Sequence, residues 1–138
     1  MKTNPDVGGG KNGGVRQLQD IRGVIDVSVR ILWVSRHALT PENMDILREA
    51  FGDDIMIKQI DRTLTPEDIR ALIKKYGTDT KYVVVLPPHL IQELLNAGAE
   101  VYRFRVEREY DPETDQYVIR PVGLEQILEI KYVTRKVV

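Results

Sequence analysis

The sequence predicts an α/β fold, namely a Rossmann-like three-layer sandwich with a mostly parallel sheet and a C-terminal antiparallel hairpin. Apolar and β-branched runs of strand length alternate with segments of helical spacing along the chain. A helix-starting pattern also occurs twice, because residues 39–52 align without a gap on residues 64–77. Tandem βα units of this kind build a parallel sheet, and their right-handed crossovers place helices on both of its faces.

The first unit begins with the apolar run Val29–Val34, which has the composition and length of a strand. Thr40 is a good helix N-cap and Pro41 suits the first helical position, so we expect a helix to begin there. Gly52 can take the left-handed conformation that ends a helix.

The second and third units follow the same order of strand and helix. Residues 55–60 form the second strand, and residues 65–77 contain its helix with a Thr cap and a Gly stop. The third unit has an uninterrupted apolar strand over residues 82–86 and a short helix over residues 90–97 that ends at Gly98. Continuous apolar strands are typical of a sheet that is buried on both faces.

The C-terminal part predicts three more strands. Residues 101–106 alternate apolar and basic side chains, which indicates a strand near an edge with one face in water. A turn then leads into a short strand over residues 117–119, and residues 124–133 form a last strand. We expect Pro121 and Gly123 to interrupt pairing between these two strands.

The length and composition predict one folded domain preceded by a tail. The chain has 138 residues, within the usual range of about 100–200 for one domain. Residues 1–22 are rich in glycine and hold almost no apolar side chains. We therefore expect residues 1–22 to be a flexible tail and residues 23–138 to form a single α/β domain.

Charge and residue usage exclude several classes of function. Twenty Lys and Arg against 21 Asp and Glu leave no basic surplus to coat duplex nucleic acid. The absence of cysteine excludes disulfides, cysteine metal sites and a thiol nucleophile, and two histidines leave little room for a His-rich metal site. No apolar run approaches the roughly 20 residues that span a bilayer. We expect a cytoplasmic protein with no metal, no cofactor, no duplex nucleic acid and no membrane as partners.

Candidate site residues follow the first and third strands. In open α/β sheets ligands bind at the carboxyl ends of the strands where the chain direction switches, which in a flavodoxin-like order lies between the first and third strands. The turn Ser35-Arg36-His37 follows the first strand and His89 follows the third, so we expect both imidazoles to face one crevice. A hydroxyl, a fixed cation and a titratable group in succession suit a phosphate.

Each candidate also has an ordinary structural interpretation. Histidines at strand ends are often solvated loop residues or caps, and Pro88 can simply start a helix rather than help to bind an anion. Asp61 and Arg62, after the second strand, can reach the rim of the crevice or form a plain surface pair.

The chain resembles the small stand-alone CRISPR ring nucleases, relatives of the CRISPR-associated Rossmann-fold domain. In that family a Ser-Arg-His turn ends the first strand, as at residues 35–37, and a Leu-Pro-x-x-Leu segment precedes a later helix, as at residues 86–90. Gly98 and Tyr102 also match, so the resemblance covers roughly residues 29–106.

The resemblance implies a homodimer that binds cyclic tetra-adenylate and cleaves this cyclic oligoadenylate without a metal. It implies that Ser35, Arg36 and His37 are catalytic, while Pro88 and His89 hold a second phosphate or a ribose edge. Two other functions stay open. One is a non-catalytic nucleotide sensor or dimeric interaction module, and the other is a histidine phosphatase, whose Arg-His-Ala motif resembles residues 36–38.

Overall fold

A computed structural model of the protein describes residues 28–138; the tail expected at residues 1–22 lies outside the described residues. Eight elements follow one another along the described chain. They are β1 (Val29–Val34), α1 (Pro41–Phe51), β2 (Ile55–Ile60), α2 (Pro66–Tyr76), β3 (Lys81–Val84), α3 (Pro88–Asn96), β4 (Glu100–Asp111) and β5 (Gln116–Ile127).

The strands form one sheet in the order β2-β1-β3-β4-β5. The β1 strand pairs in parallel with both β2 and β3, β3 pairs in parallel with β4, and β5 closes the sheet antiparallel to β4. The predicted α/β class, with a mostly parallel sheet and a C-terminal antiparallel hairpin, is confirmed. The first and third strands are neighbours, which places the loops that follow them side by side.

Helices cover both faces of the sheet because alternate strand residues point in opposite directions. On one face α1 packs through Leu47 against Trp33 and Val83. On the other face α2 and α3 pack through Ile69 and Leu94 around a second cluster. The strand residues of that second cluster are Leu32, Val34, Tyr82, Val84 and Val101.

The repeated helix start is built in the same way in both copies. The Thr40 side chain accepts a hydrogen bond from the Asn43 N–H at 3.1 Å, and the Thr65 side chain accepts one from the Asp68 N–H at 3.2 Å. In both copies the side chain of the third helical residue bonds back to the backbone N–H of the threonine, which completes a capping box. Both helices then end at a glycine with positive φ, Gly52 in α1 and Gly77 in α2.

The third strand is displaced towards its start relative to the predicted residues 82–86. It runs from Lys81 to Val84, and the chain then leaves the sheet. Its neighbour β1 ends at Val34, so the last link between the two is the bond from the Val85 N–H to the Val34 carbonyl at 3.0 Å. Beyond that bond the chain turns towards Pro87 and the start of α3.

The third helix spans Pro88–Asn96 rather than the expected residues 90–97. Proline at the first helical position needs no hydrogen bond to its nitrogen and already has a helical φ, so the helix begins at the proline. Pro87 is the N-cap and provides no side-chain cap.

The prediction of two separate C-terminal strands was wrong, because β5 is one continuous strand of 12 residues. Pro121 pairs with Val106 and Gly123 pairs with Arg105, so the intervening residue forms a bulge instead of a break. Proline is tolerated there because β5 is an edge strand of the sheet. The expected strand over residues 124–133 therefore ends at Ile127.

The hairpin of β4 and β5 also reaches α1. The Arg120 guanidinium lies 2.9 Å from the Glu109 carboxylate and 3.4 Å from Glu42 in the first turn of α1. These contacts, above all the hydrogen bond to Glu109, raise the pKa of Arg120.

Within residues 28–138, no helix is long and apolar enough to cross a membrane.

Candidate functional site

The turn after β1 is held by its own side chain and by β2. Ser35 is buried, with 6% of its surface exposed, and its Oγ accepts a hydrogen bond from the His37 N–H at 3.0 Å. The Ser35 N–H donates to the Ile60 carbonyl at 3.2 Å. The serine is thereby fixed at the carboxyl end of the sheet with its hydroxyl hydrogen available to a ligand.

Two further side chains fix the carbonyl groups of this turn. The indole N–H of Trp33 donates to the His37 carbonyl at 2.7 Å. The Gln59 amide donates to the Ser35 carbonyl and to the His37 carbonyl, both at 2.9 Å. Neither residue was a candidate from the sequence, because an aromatic residue in a strand indicates a core position and a lone glutamine carries no motif.

A cavity of about 220 Å³ lies at the carboxyl ends of β1 and β3. Its polar lining includes Ser35, Arg36, Arg62 and His89. The remaining lining residues are Val34, Thr63, Leu64, Val85, Leu86, Pro87 and Leu90. The crevice expected between the first and third strands is thus a concavity lined by both polar and apolar residues.

The two guanidinium groups at the cavity have weak, solvated partners. Arg36 Nε lies 3.9 Å from Asp61 Oδ1, and both side chains are mostly exposed, at 73% and 62%. Arg62 Nη1 lies 3.4 Å from Asp68 Oδ2. Exposed pairs of this kind contribute little to stability, so an anionic ligand can replace the carboxylates at low cost.

Asp68 is itself committed to the cap of α2. Its carboxylate accepts the Thr65 N–H at 2.8 Å, and this backbone hydrogen bond is the main reason that the pKa of Asp68 is lowered. Because Asp68 also accepts the cap hydrogen bond, its carboxylate keeps that partner when a ligand takes the place of Asp68 at Arg62.

The start of α3 is a poorer anion site than an ordinary helix N-terminus. Pro87 and Pro88 have no N–H groups, and the Leu90 N–H is already bonded to the Pro87 carbonyl at 3.0 Å. The polar residue that this segment contributes to the cavity lining is His89, beside the apolar Pro87 and Leu90.

The structure brings some of the predicted residues together and leaves others apart. Ser35, Arg36, Arg62 and His89 share the cavity. Pro88 and Asp61 are not among the lining residues; Asp61 instead faces Arg36 from outside. His37 is exposed and also lies outside the lining, which differs from the expectation that both imidazoles face one crevice. Its backbone is held by two hydrogen bonds, from the His37 N–H to Ser35 Oγ and from the Trp33 indole to the His37 carbonyl.

Among residues 28–138 no group of three or more His, Asp or Glu side chains is placed to hold a metal ion. Comparison with protein-family models, with curated proteins and with solved structures gives no match to this chain. The fold and the cavity therefore define a Rossmann-like α/β protein with a cationic, partly apolar site at its strand ends.

Proposed function

We propose that the protein is a metal-independent ring nuclease that binds cyclic oligoadenylate and cleaves it to linear products, thereby switching off CRISPR type III signalling. One observation carries the proposal beyond the resemblance: Ser35, two arginines and His89 line one cavity at the carboxyl ends of β1 and β3. Guanidinium, hydroxyl and imidazole groups around one space suit a phosphodiester better than an apolar ligand.

The apolar lining of the cavity supports a nucleotide rather than a free phosphate. Val85, Leu86 and Pro87 are apolar lining residues of the cavity and belong to the segment where the chain leaves β3. A nucleotide has an anionic part and a flat apolar part, so a lining that contains both polar and apolar residues suits both parts of one ligand.

The reaction needs no outside reactant. A ribose 2′-hydroxyl attacks the phosphorus of its own 3′-phosphate, the bond from phosphorus to the next 5′-oxygen breaks, and a 2′,3′-cyclic phosphate and a 5′-hydroxyl result. The attacking hydroxyl loses a proton and the leaving oxygen gains one. The protein has to hold the in-line geometry and stabilise the charge that develops on the phosphate.

The cavity residues suit these tasks. Arg36 and Arg62 stabilise the phosphate charge, and Ser35 donates its hydroxyl hydrogen to a phosphate oxygen. His89 is the imidazole at the cavity, so we assign it the proton transfer. The catalytic role that the resemblance implies for His37 stays a prediction. Asp61 acts by orienting the Arg36 side chain through their ion pair.

The size of the cavity favours the implied homodimer. A volume of about 220 Å³ is smaller than the roughly 300–1,000 Å³ of ordinary small-molecule pockets, so it accommodates about one nucleotide unit. A ring of four such units needs more than one cavity. Two copies related by a twofold axis present two cavities, which hold two of the four units at symmetric positions.

A non-catalytic nucleotide sensor is the second candidate, and the exposed position of His37 favours it. Cleavage moves two protons and, within residues 28–138, His89 is the one imidazole that lines the cavity, whereas a protein that only binds the ring needs the arginines and the serine but no proton transfer. The same observation weakens the histidine-phosphatase alternative, because that chemistry uses two histidines at one phosphate.

The test is to incubate the purified protein with cyclic tetra-adenylate in EDTA and to identify the products by liquid chromatography and mass spectrometry. We expect linear products with cyclic phosphate ends, and we expect Arg62→Ala to slow their formation. Arg70→Ala is the matched control, since Arg70 pairs with Glu67 and Glu93 on α2 and α3, away from the cavity. A bound but intact ring supports the sensor, and an unbound ring overturns both candidates for this ligand.

A further inference from the structure

The Gln59 side chain connects β2 to the turn that follows β1. It is the residue before the end of β2, and its register partner in β1 is Trp33. Its amide nitrogen lies 2.9 Å from the Ser35 carbonyl and 2.9 Å from the His37 carbonyl. A primary amide has two N–H hydrogens, so each carbonyl receives one of them.

These two carbonyls stand on either side of Arg36. The backbone is therefore tied immediately before and immediately after the arginine, while its guanidinium stays exposed at the cavity. The Trp33 indole donates to the same His37 carbonyl at 2.7 Å, which gives that oxygen a donor for each of its lone pairs. Gln59 and Trp33 together determine the path of the chain through Arg36.

We propose that Gln59 is a positioning residue, which sets the orientation of Ser35 and Arg36 for the cleavage reaction from a neighbouring strand. This inference rests on the proposed function. Gln59 does not line the cavity, so it acts through the turn and not on the ligand. In-line attack on a phosphate tolerates little displacement, and a shift of about 1 Å can cost on the order of 100-fold in rate.

The expected kinetic effect is a fall in kcat with a small change in KM. Gln59→Met keeps the length of the side chain but removes both donors, so the turn loosens while the arginines still attract the ring. We expect kcat to fall about tenfold or more and KM to stay within about threefold. Gln59→Glu places a carboxylate against two carbonyl oxygens and should be more severe than Gln59→Met.

The matched control is Gln92→Met. Gln92 lies in α3, and its amide donates to Asn96 at 2.8 Å, so the same atoms are removed from a hydrogen-bonded glutamine outside the site. If Gln59 merely stabilised the fold, Gln59→Met and Gln92→Met would both lower the melting temperature. Neither substitution would then change kcat.

A second readout does not depend on activity. Trp33 is the single tryptophan of the protein, so its indole N–H gives one resonance in a nitrogen-proton correlation spectrum. In Gln59→Met we expect faster solvent exchange of this indole and of the His37 backbone N–H, which bonds to Ser35 Oγ. In Gln92→Met both should keep the exchange rates of the wild type.

The outcomes separate the two proposals. An active wild type together with an unchanged kcat in Gln59→Met overturns the inference and leaves the ring nuclease standing. Unchanged exchange of the two N–H groups in Gln59→Met also overturns the inference, whatever the activity. A wild type that leaves the ring intact overturns the proposed function and, with it, the catalytic role of Gln59.

Discussion

The His37 backbone N–H donates to Ser35 Oγ at 3.0 Å, so a buried hydroxyl organises the turn in which it lies. One lone pair of the oxygen accepts this hydrogen bond, and the hydroxyl hydrogen can rotate towards an acceptor on a ligand. The serine therefore has a structural role and a ligand-binding role at the same atom. The two roles predict separate effects of substitution, one on stability and one on ligand affinity.

Ser35→Ala should reduce both stability and ring affinity. The lost hydrogen bond, which is partly buried, costs about 1 kcal/mol. Thermal unfolding and equilibrium binding of the ring measure the two effects. Ser35→Thr keeps the hydroxyl and should recover most of the affinity; a Ser35→Ala protein that binds as tightly as the wild type would falsify the ligand role.

Arg36→Ala and Arg62→Ala should each weaken ring binding about 10-fold to 100-fold, the range expected when a hydrogen bond to a charged group is lost. Both effects should diminish with added salt because the side chains are largely exposed. Isothermal titration at two salt concentrations measures this. Arg70→Ala should bind like the wild type, and equal losses in all three variants would point to net charge rather than to the cavity.

The two histidines should respond differently to substitution. His89 lines the cavity, so His89→Gln should lower kcat at least tenfold, whereas His37→Gln should have a smaller effect because His37 lies outside the lining. Single-turnover assays with saturating protein compare the two. The reverse order of effects would show that the ring draws His37 inward and would restore it as the catalytic histidine.

The stability of the sheet should fall in acid through Glu100. Its carboxylate accepts Lys81 Nζ at 2.8 Å and the Tyr102 hydroxyl at 2.5 Å, and these bonds, led by that of Lys81, hold its pKa below the ordinary 4.5. Between the two values the unfolded chain binds more protons than the folded one. The stabilisation is therefore present above about pH 4.5 and is lost as the pH falls through the lowered value.

Glu100→Gln should accordingly be less stable than the wild type at pH 7, and the difference should shrink at pH 3. Urea unfolding at the two pH values measures it. Glu113→Gln, in the hairpin turn, is the control. Its stability should differ from that of the wild type by the same small amount at pH 7 and at pH 3. Tyr102 belongs to the same cluster: burial, reinforced by Glu100, raises its pKa to about 12, so the phenol donates throughout this range.

The two helix caps should contribute similarly and independently. Thr40→Ala and Thr65→Ala each remove a side-chain bond to the third helical residue, at a cost of about 1 kcal/mol. The helices pack on opposite faces of the sheet, so the double variant should lose the sum. Chemical denaturation gives the values, and strong non-additivity would contradict the separation of the two clusters.

The sequence predicts the fold where local signals agree. The Thr-Pro start and the Gly stop of α1 and α2 are correct to the residue, because capping depends on neighbours in the chain. The C-terminal strands were predicted less well. By local rules Pro121 and Gly123 predict a break between two strands. In the structure both residues pair with the partner strand β4, and the one extra residue between them forms a bulge.

The site could be located from the sequence but not assembled in detail. Strand ends in an α/β sheet indicate where a ligand binds, which brings Ser35, Arg36 and His89 together. The position of the His37 backbone depends on bonds from Trp33 and Gln59, residues that lie before the turn and on another strand. No spacing rule along the chain contains that information.

The central place of β1 has a consequence for how the chain assembles. Both neighbours of β1 come later in the sequence, so its ladder is complete when β3 has been brought back across α1, β2 and α2. The hairpin of β4 and β5 closes through a short local turn and should form earlier, since local contacts need less loop closure. We expect pulsed hydrogen exchange during refolding to protect the Asp115 amide, which bonds to the Asp111 carbonyl, before the Val85 amide, which bonds to the Val34 carbonyl. Simultaneous protection would contradict this order, whereas the expected delay means that the ligand cavity is among the last features to exist.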